Sequence, residues 1–285
     1  MAIETGEVRA NGMVFTCRRA GPAAGEPVIL LHGFPETSHM WSALLPALAD
    51  AGYRCIAPDQ RGYSQGARPE GVEHYATPAL VRDVLAIADS EGYGRFHLIG
   101  HDWGAVVGWR TVMAHPERIA SWSALSIPHI ASYQHAYATD PVQQQKSAYI
   151  TFFQQAGTAE AALTGNDFAM LRGVWTASPP DEVADYVRVL SQPYAMTAAL
   201  NWYRAGFGGT APTLQGSNQD ITVPTLTVWG NQDTAVGRST TLTAAQYMKG
   251  PYRFVELDAG HWLIQEKFET VRDEILAHLR ANTIG

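Results

Sequence analysis

Cysteine is scarce in this chain: two in 285 residues, Cys17 and Cys55, with no C-x-x-C pair. That excludes a disulfide framework, and both residues fall in apolar strand-like stretches, as buried free thiols in a reducing compartment do. Basic charge is also short. Lys and Arg number 20 against 27 Asp and Glu, a formal net charge of -7, so no cationic excess exists to neutralise phosphates and nucleic acid is not an expected partner. No apolar run approaches the ~20 residues that cross a bilayer, and the N-terminal MAIETGEVRANG lacks the basic head and apolar stretch of a secretory signal. The expectation is a cytoplasmic protein without a membrane partner. No His or Cys cluster has ligand spacing, so no metal is expected either. What is present, 46% hydrophobic and 16% charged residues, is the composition of a globular enzyme with a sizeable core.

The apolar residues follow two periods. Residues 7–20 split at Asn11-Gly12, a strong hairpin signal, into two strands. Further strands read over 27–33, 53–59, 96–100, 119–128, 224–230 and 252–258, making eight. Helical spacing covers 40–51, a stretch from Thr77 to about Glu91 with Thr77 as N-cap and Pro78 at the first helical position, the residues from Gly104, a segment near 240–248, and 267–281. Strand alternating with helix predicts an α/β fold, a mostly parallel sheet with helices on both faces. Between Pro128 and Gln219 only helical signals occur, among them SAYITFFQQAG, NDFAMLRGVW, PDEVADYVRVL and QPYAMTAALNWYRAG. The expected division is therefore a core of 1–128 and 220–285 and an inserted helical cap of 129–219.

One stretch organises the rest. FHLIGHDWGA, Phe96 to Ala105, runs from a buried strand into a helix through Gly100-His101-Asp102-Trp103-Gly104. In a nucleophile elbow, small residues two places before and after the nucleophile let a strained turn push one side chain out above the sheet. Gly100 and Gly104 hold those places, and the exposed residue is Asp102. A serine attacking an sp3 carbon would end as a stable ether, whereas an aspartate ends as an alkyl ester that water hydrolyses. An Asp elbow thus points to alkyl transfer, as in opening an epoxide or displacing a halide. The competing assignment, Asp102 as a helix N-cap, is outweighed by the two glycines and by the partners that follow.

An ester on Asp102 needs a base for water, and the loops after the last strands are where the topology puts one. Gly260-His261 follows one strand end and Asp233, in GNQD, another; Asp258 is the alternative acid. The order Asp102, Asp233, His261 is nucleophile, acid, base, with His261 taking a proton from water and Asp233 holding its tautomer. Two backbone N–H groups, of Trp103 and of Phe34 in HGFP, would form the oxyanion hole. His32 reads as a structural hydrogen-bonding residue of that loop.

HGFP, GHDWGA, SIPH (126–129), GNQD and GHW together resemble the α/β-hydrolase family of epoxide hydrolases, with haloalkane and haloacetate dehalogenases as near relatives, from about residue 10 to 282. The resemblance implies an eight-stranded α/β-hydrolase core with a cap, no cofactor, and two cap tyrosines aimed at the epoxide oxygen: Tyr149, in a Y-x-x-x-F-Q pattern, and Tyr203, in N-W-Y-R, with Tyr194 and Tyr186 as substitutes. A phenol with a pKa near 10 stays protonated at neutral pH and suits an alkoxide leaving group. An apolar pocket of Phe34, Trp103, Phe152 or Phe153 and Trp202 would favour a small hydrophobic epoxide. Trp103 stands where haloacetate dehalogenases carry Arg, and HGFP replaces the HGNP of haloalkane dehalogenases. The alternatives are one of those dehalogenases or a non-catalytic ligand-binding hydrolase fold; the oligomeric state, monomer or homodimer, is left open.

Overall fold

Asn11 and Gly12 turn the chain with φ of 49° and 73°, the pair of left-handed residues that a two-residue hairpin needs. They join β1 (Glu4–Ala10) to β2 (Met13–Ala20) antiparallel. The computed structural model describes residues 1–207 and 220–284. In it β3 (Glu26–Leu31), β4 (Tyr53–Pro58), β5 (Phe96–His101), β6 (Ile119–Leu125), β7 (Thr225–Gly230) and β8 (Tyr252–Leu257) complete an eight-stranded sheet in the order β1-β2-β4-β3-β5-β6-β7-β8. β2 meets β4 antiparallel, and every later pairing is parallel. The central strands β5, β6 and β7 are buried along their whole length, as strands covered on both faces must be.

Four helices cover the sheet: α1 (Leu44–Asp50), α2 (Thr77–Ser90), α3 (Trp103–Ala114) and, at the end of the chain, Phe268–Arg280. The first packs on the last, and α2 packs on α3, giving two helical layers. α2 contains Thr77 rather than being capped by it. Ala76 is the cap residue, and no side chain bonds the free amides there. The helix expected near 240–248 is two 3-10 turns, Arg238–Thr240 and Ala244–Tyr247, because the Thr240 hydroxyl bonds back to the Gly237 carbonyl at 2.7 Å and closes a short turn.

Between β6 and β7 the described residues carry the helices α4 (Ile130–Thr139), α5 (Pro141–Lys146), α6 (Tyr149–Phe153), α7 (Thr158–Arg172), α8 (Pro180–Leu190) and α9 (Ala195–Phe207). The last part of the expected cap, 208–219, lies outside the described residues, as does residue 285. α7 is interrupted where Asn166, Asp167 and Phe168 take φ of 50°, 53° and 59°. Polar contacts fasten this insertion to the core. On α8, Asp185 accepts from Thr37 Oγ1 at 2.6 Å and Arg18 at 3.1 Å. On α5, the buried Gln143 donates to the Ala235 carbonyl at 2.9 Å and accepts from Gly237 N at 2.7 Å, while Lys146 Nζ donates to the Asp233 carbonyl at 2.5 Å.

Strands β3, β5, β6, β7 and β8 run parallel, so their C-terminal ends share one edge. The loops there carry Phe34, Asp102, Ser126, Asp233 and His261. That edge is where an open α/β sheet places its chemistry. After β8 come α10 (Leu263–Glu266) and α11, the Phe268–Arg280 helix.

Candidate active site

Asp102 sits between β5 and α3 with φ 51° and ψ -121°, a strained backbone that a non-glycine residue adopts only where its surroundings enforce it. They do. A side chain at Gly104 would strike the Leu31 carbonyl, and one at Gly100 the Gly104 carbonyl, so both elbow glycines are demanded by close backbone approach. The Asp102 carboxylate does not cap α3. Its Oδ1 accepts the Phe34 N–H at 2.8 Å, and the adjacent Trp103 amide helps hold the carboxyl pKa down. These are the two amides expected to bind an oxyanion.

The other oxygen, Oδ2, faces the base. It lies 3.6 Å from His261 Nε2, whose Nδ1 is 2.7 Å from Asp233 Oδ2. Asp233 is fixed in turn, since its Oδ1 accepts the amides of Ala235 at 2.7 Å and Val236 at 2.9 Å. With an ionised carboxylate on Nδ1, that nitrogen carries the proton and Nε2 points at Asp102. Burial alone would lower the His261 pKa, but the carboxylates of Asp233 and Asp102 raise it well above 6.5. Burial would raise that of Asp102, yet His261, His101 and the Trp103 amide hold it below its ordinary 3.8. The two acidic side chains thus favour the charged imidazole of His261, and His261 in turn favours the ionised form of Asp102.

Tyr149 and Tyr203 stand opposite, with ring centroids 6.1 Å apart. Burial, followed for Tyr203 by the negative charge of Asp102 and for Tyr149 by its neighbour Tyr133 and then that charge, pushes both phenols well above 10. They stay protonated. Trp103 packs edge-on against the Tyr203 ring, with centroids 5.2 Å apart, and helps position the phenol. Asp102, Tyr149 and Tyr203 border a cavity of about 540 Å³ together with Phe34, Phe152, Phe153 and His261, and a small pouch of about 30 Å³ that adds Trp103 and Tyr133.

The predicted residues Asp102, Asp233, His261, Tyr149, Tyr203, Phe34, Trp103, Phe152 and Phe153 are thus together. Trp202 is not with them. It packs edge-on behind Trp103 and donates its indole N–H to the Arg61 carbonyl at 3.0 Å, away from both cavities. Tyr186 bonds Glu182 at 2.8 Å, and Tyr194 accepts from Asn201 at 3.1 Å, so neither replaces the tyrosine pair. Asp258 accepts from Gln232 at 2.6 Å instead of holding His261. His32 accepts the Gln60 amide at 3.0 Å, in a buried site that lowers its pKa.

Three site residues were not anticipated. His101 Nε2 and Ser126 Oγ each bond the His261 carbonyl at 2.9 Å, and Glu36 Oε2 lies 3.3 Å from His101 Nδ1. The only signal for His101 was its place beside the nucleophile.

A family model described as "alpha/beta hydrolase fold" matches residues 26–268. The protein named "Epoxide hydrolase A" of Mycobacterium tuberculosis is 34% identical over 312 residues, covering 95% of this chain and 96% of its own. "AB hydrolase superfamily protein YfhM" of Bacillus subtilis is 34% identical over 279 residues, 96% of each. The crystal structure of Epoxide Hydrolase A from Mycobacterium thermoresistibile superposes with a TM-score of 0.85 at 29% identity, covering 100% of both chains.

Proposed function

Belonging to the α/β-hydrolase fold family and, within it, to the epoxide hydrolases, the chain hydrolyses epoxides, and we propose that it does so through an ester on Asp102. In the first half-reaction Oδ2 attacks a ring carbon and the C–O bond breaks. The freed oxygen keeps the electron pair, while Tyr149 and Tyr203 hydrogen-bond it. Oδ1 stays on the Phe34 amide, with the Trp103 amide beside the same carboxylate. Alkylation removes one of the two negative charges that hold the His261 proton, and that proton passes to the alkoxide, leaving a hydroxyl and a neutral imidazole. The imidazole is then free to act as base. In the second half, His261 Nε2 takes a proton from water, whose oxygen attacks Cγ; the oxyanion forms on Oδ1 in the hole. Collapse breaks the bond from Cγ to Oδ2, and the leaving oxygen takes the remaining proton of the attacking water. The vicinal diol leaves with an Asp102 oxygen, water's oxygen stays in the carboxylate, and the imidazolium is restored.

The observation that carries this reading is the split use of one carboxylate: Oδ1 on the Phe34 amide at 2.8 Å, Oδ2 facing the base at 3.6 Å. Residues 129–219 act as the cap that brings the phenols, and the apolar cavity wall supports a small hydrophobic epoxide as substrate, with no cofactor. The two buried free thiols support a cytoplasmic setting. Halide displacement is the weaker reading, since the cap presents the Tyr149 and Tyr203 phenols to the cavity and no arginine follows Asp102 to bind a haloacetate. A panel of aryl, alkyl and fatty epoxides beside halogenated compounds tests it: diol forms from epoxides, and halide release instead would favour the dehalogenases.

Tyr149→Phe and Tyr203→Phe each slow alkylation by about 10- to 100-fold, the cost of one hydrogen bond to a developing alkoxide, and the double variant loses more than either. Single-turnover kinetics followed by tryptophan fluorescence measure this step, and equal rates in both single variants and the parent would remove the tyrosines from the mechanism.

The two half-reactions also part company with pH. Alkylation needs ionised Asp102, whose pKa lies below 3.8, so it persists into acid. Ester hydrolysis needs neutral His261, whose pKa the Asp233 charge still raises once Asp102 is esterified, so it fails first as pH falls. The fraction of protein trapped as ester therefore rises on acidification; intact-mass spectra after rapid quench show it, and a fraction that falls instead contradicts the assignment of base and nucleophile.

A further inference from the structure

The loop carrying His261 is pinned more fully than a turn after β8 requires. The peptide plane joining residues 261 and 262 is held at its carbonyl by Ser126 and His101, both at 2.9 Å. The plane joining 259 and 260 is held at its carbonyl by the Gln232 amide, also at 2.9 Å. The N–H ends of these same two planes converge on one side chain. Gly260 N donates to Glu266 Oε2 at 2.6 Å, and Trp262 N donates to Glu266 Oε1 at 3.2 Å. Residue 260 is built for this contact, since a Cβ there would lie 2.7 Å from Glu266 Oε1.

Glu266 ends the short helix α10, is exposed, and borders the 540 Å³ cavity. A helix cap would account for the Trp262 amide alone. The Gly260 amide lies outside the helix, two residues before its first cap position, and its bond to the same carboxylate serves the loop.

We propose that Glu266 is a positioning residue for ester hydrolysis: by holding the amides on both sides of His261 it fixes the direction in which the imidazole leaves the backbone and keeps Nε2 over Asp102. The proposal rests on the reading of His261 as the water-activating base. Alkylation uses Asp102 and the phenols and does not call on that direction. Hydrolysis does, because a displacement of about 1 Å costs up to about a hundredfold in rate.

The test uses Glu266→Gln and Glu266→Ala in the full chain, with His261→Gln alongside. Glutamine keeps one acceptor and alanine none. The expected result is an unchanged alkylation rate, ester hydrolysis slowed about tenfold in the glutamine variant and further in the alanine variant, and ester visible as added protein mass. kcat and KM fall together, as they must when the second step becomes slower than the first. The pH midpoint of hydrolysis stays where it was, because with Asp102 esterified it is the charge of Asp233, not Glu266, that holds the His261 proton; a purely electrostatic or purely structural role would shift the midpoint or slow both steps. Ester accumulating in His261→Gln but in neither Glu266 variant overturns the proposal alone, as does an equal loss of both half-reactions. No ester in His261→Gln overturns the base assignment and this proposal with it.

Discussion

Asp102→Ala lowers epoxide turnover by about ten-thousandfold or more, the size of effect seen when a nucleophile that forms a covalent intermediate is removed. The carboxylate supplies both the attacking oxygen and the carbonyl that water later enters, so no second group inherits its task. Substrate still binds, because the cavity wall of Phe34, Phe152, Phe153 and Tyr203 is untouched. The companion measurement uses the wild-type protein in ¹⁸O-labelled water. A single turnover leaves the label in Asp102 and not in the diol, since collapse breaks the bond from Cγ to Oδ2; the label moves into diol only on later turnovers. Tandem mass spectrometry of the peptide containing Asp102 reads this directly. Label in the diol on the first turnover, with none in Asp102, means water opened the ring itself and rules out the ester.

His261→Gln gives the complementary result. Glutamine preserves polarity and much of the volume but takes no proton, so hydrolysis of the ester slows by about a thousandfold or more while alkylation still proceeds. Loss of the imidazolium also removes the charge that helps hold Asp102 ionised, which makes alkylation somewhat more sensitive to acid without abolishing it at neutral pH. The protein then gains the mass of one epoxide per chain and stops. Full-rate turnover by this variant, or failure to take up the mass, contradicts the base role. Asp233→Asn is milder in the same direction, because the Ala235 and Val236 amides that orient Asp233 still place a neutral acceptor beside Nδ1.

Much of this was legible from local chemistry. The Asn11-Gly12 hairpin, the alternation that sets the parallel sheet, and the glycine-flanked elbow all follow from φ, period and steric demand within a few residues. The chain order of acid and base followed from topology. What escaped depends on contacts that no short window contains. His101 and Ser126 meet the His261 carbonyl from 160 and 135 residues away. Trp202 was misplaced because neighbours on a helix point about 100° apart: once Tyr203 faces the cavity Trp202 faces elsewhere, and only docking of α9 decides which. The segment near 240–248 has helical apolar spacing, but its hydroxyls close short turns instead, and α2 starts at Thr77 without using the threonine oxygen. Apolar periodicity records neither choice.

The grip of Gln143 and Lys146 on residues 233–237 bears on how such a molecule can be re-engineered. The roof over the substrate is not a detachable hat, for two of its side chains double as guy ropes on the aspartate that steers the imidazole. A chimaera given a foreign roof to admit other epoxides would acquire new walls and slacken its own triad, unless the transplanted piece brings an amide and an ammonium to those same two anchor points.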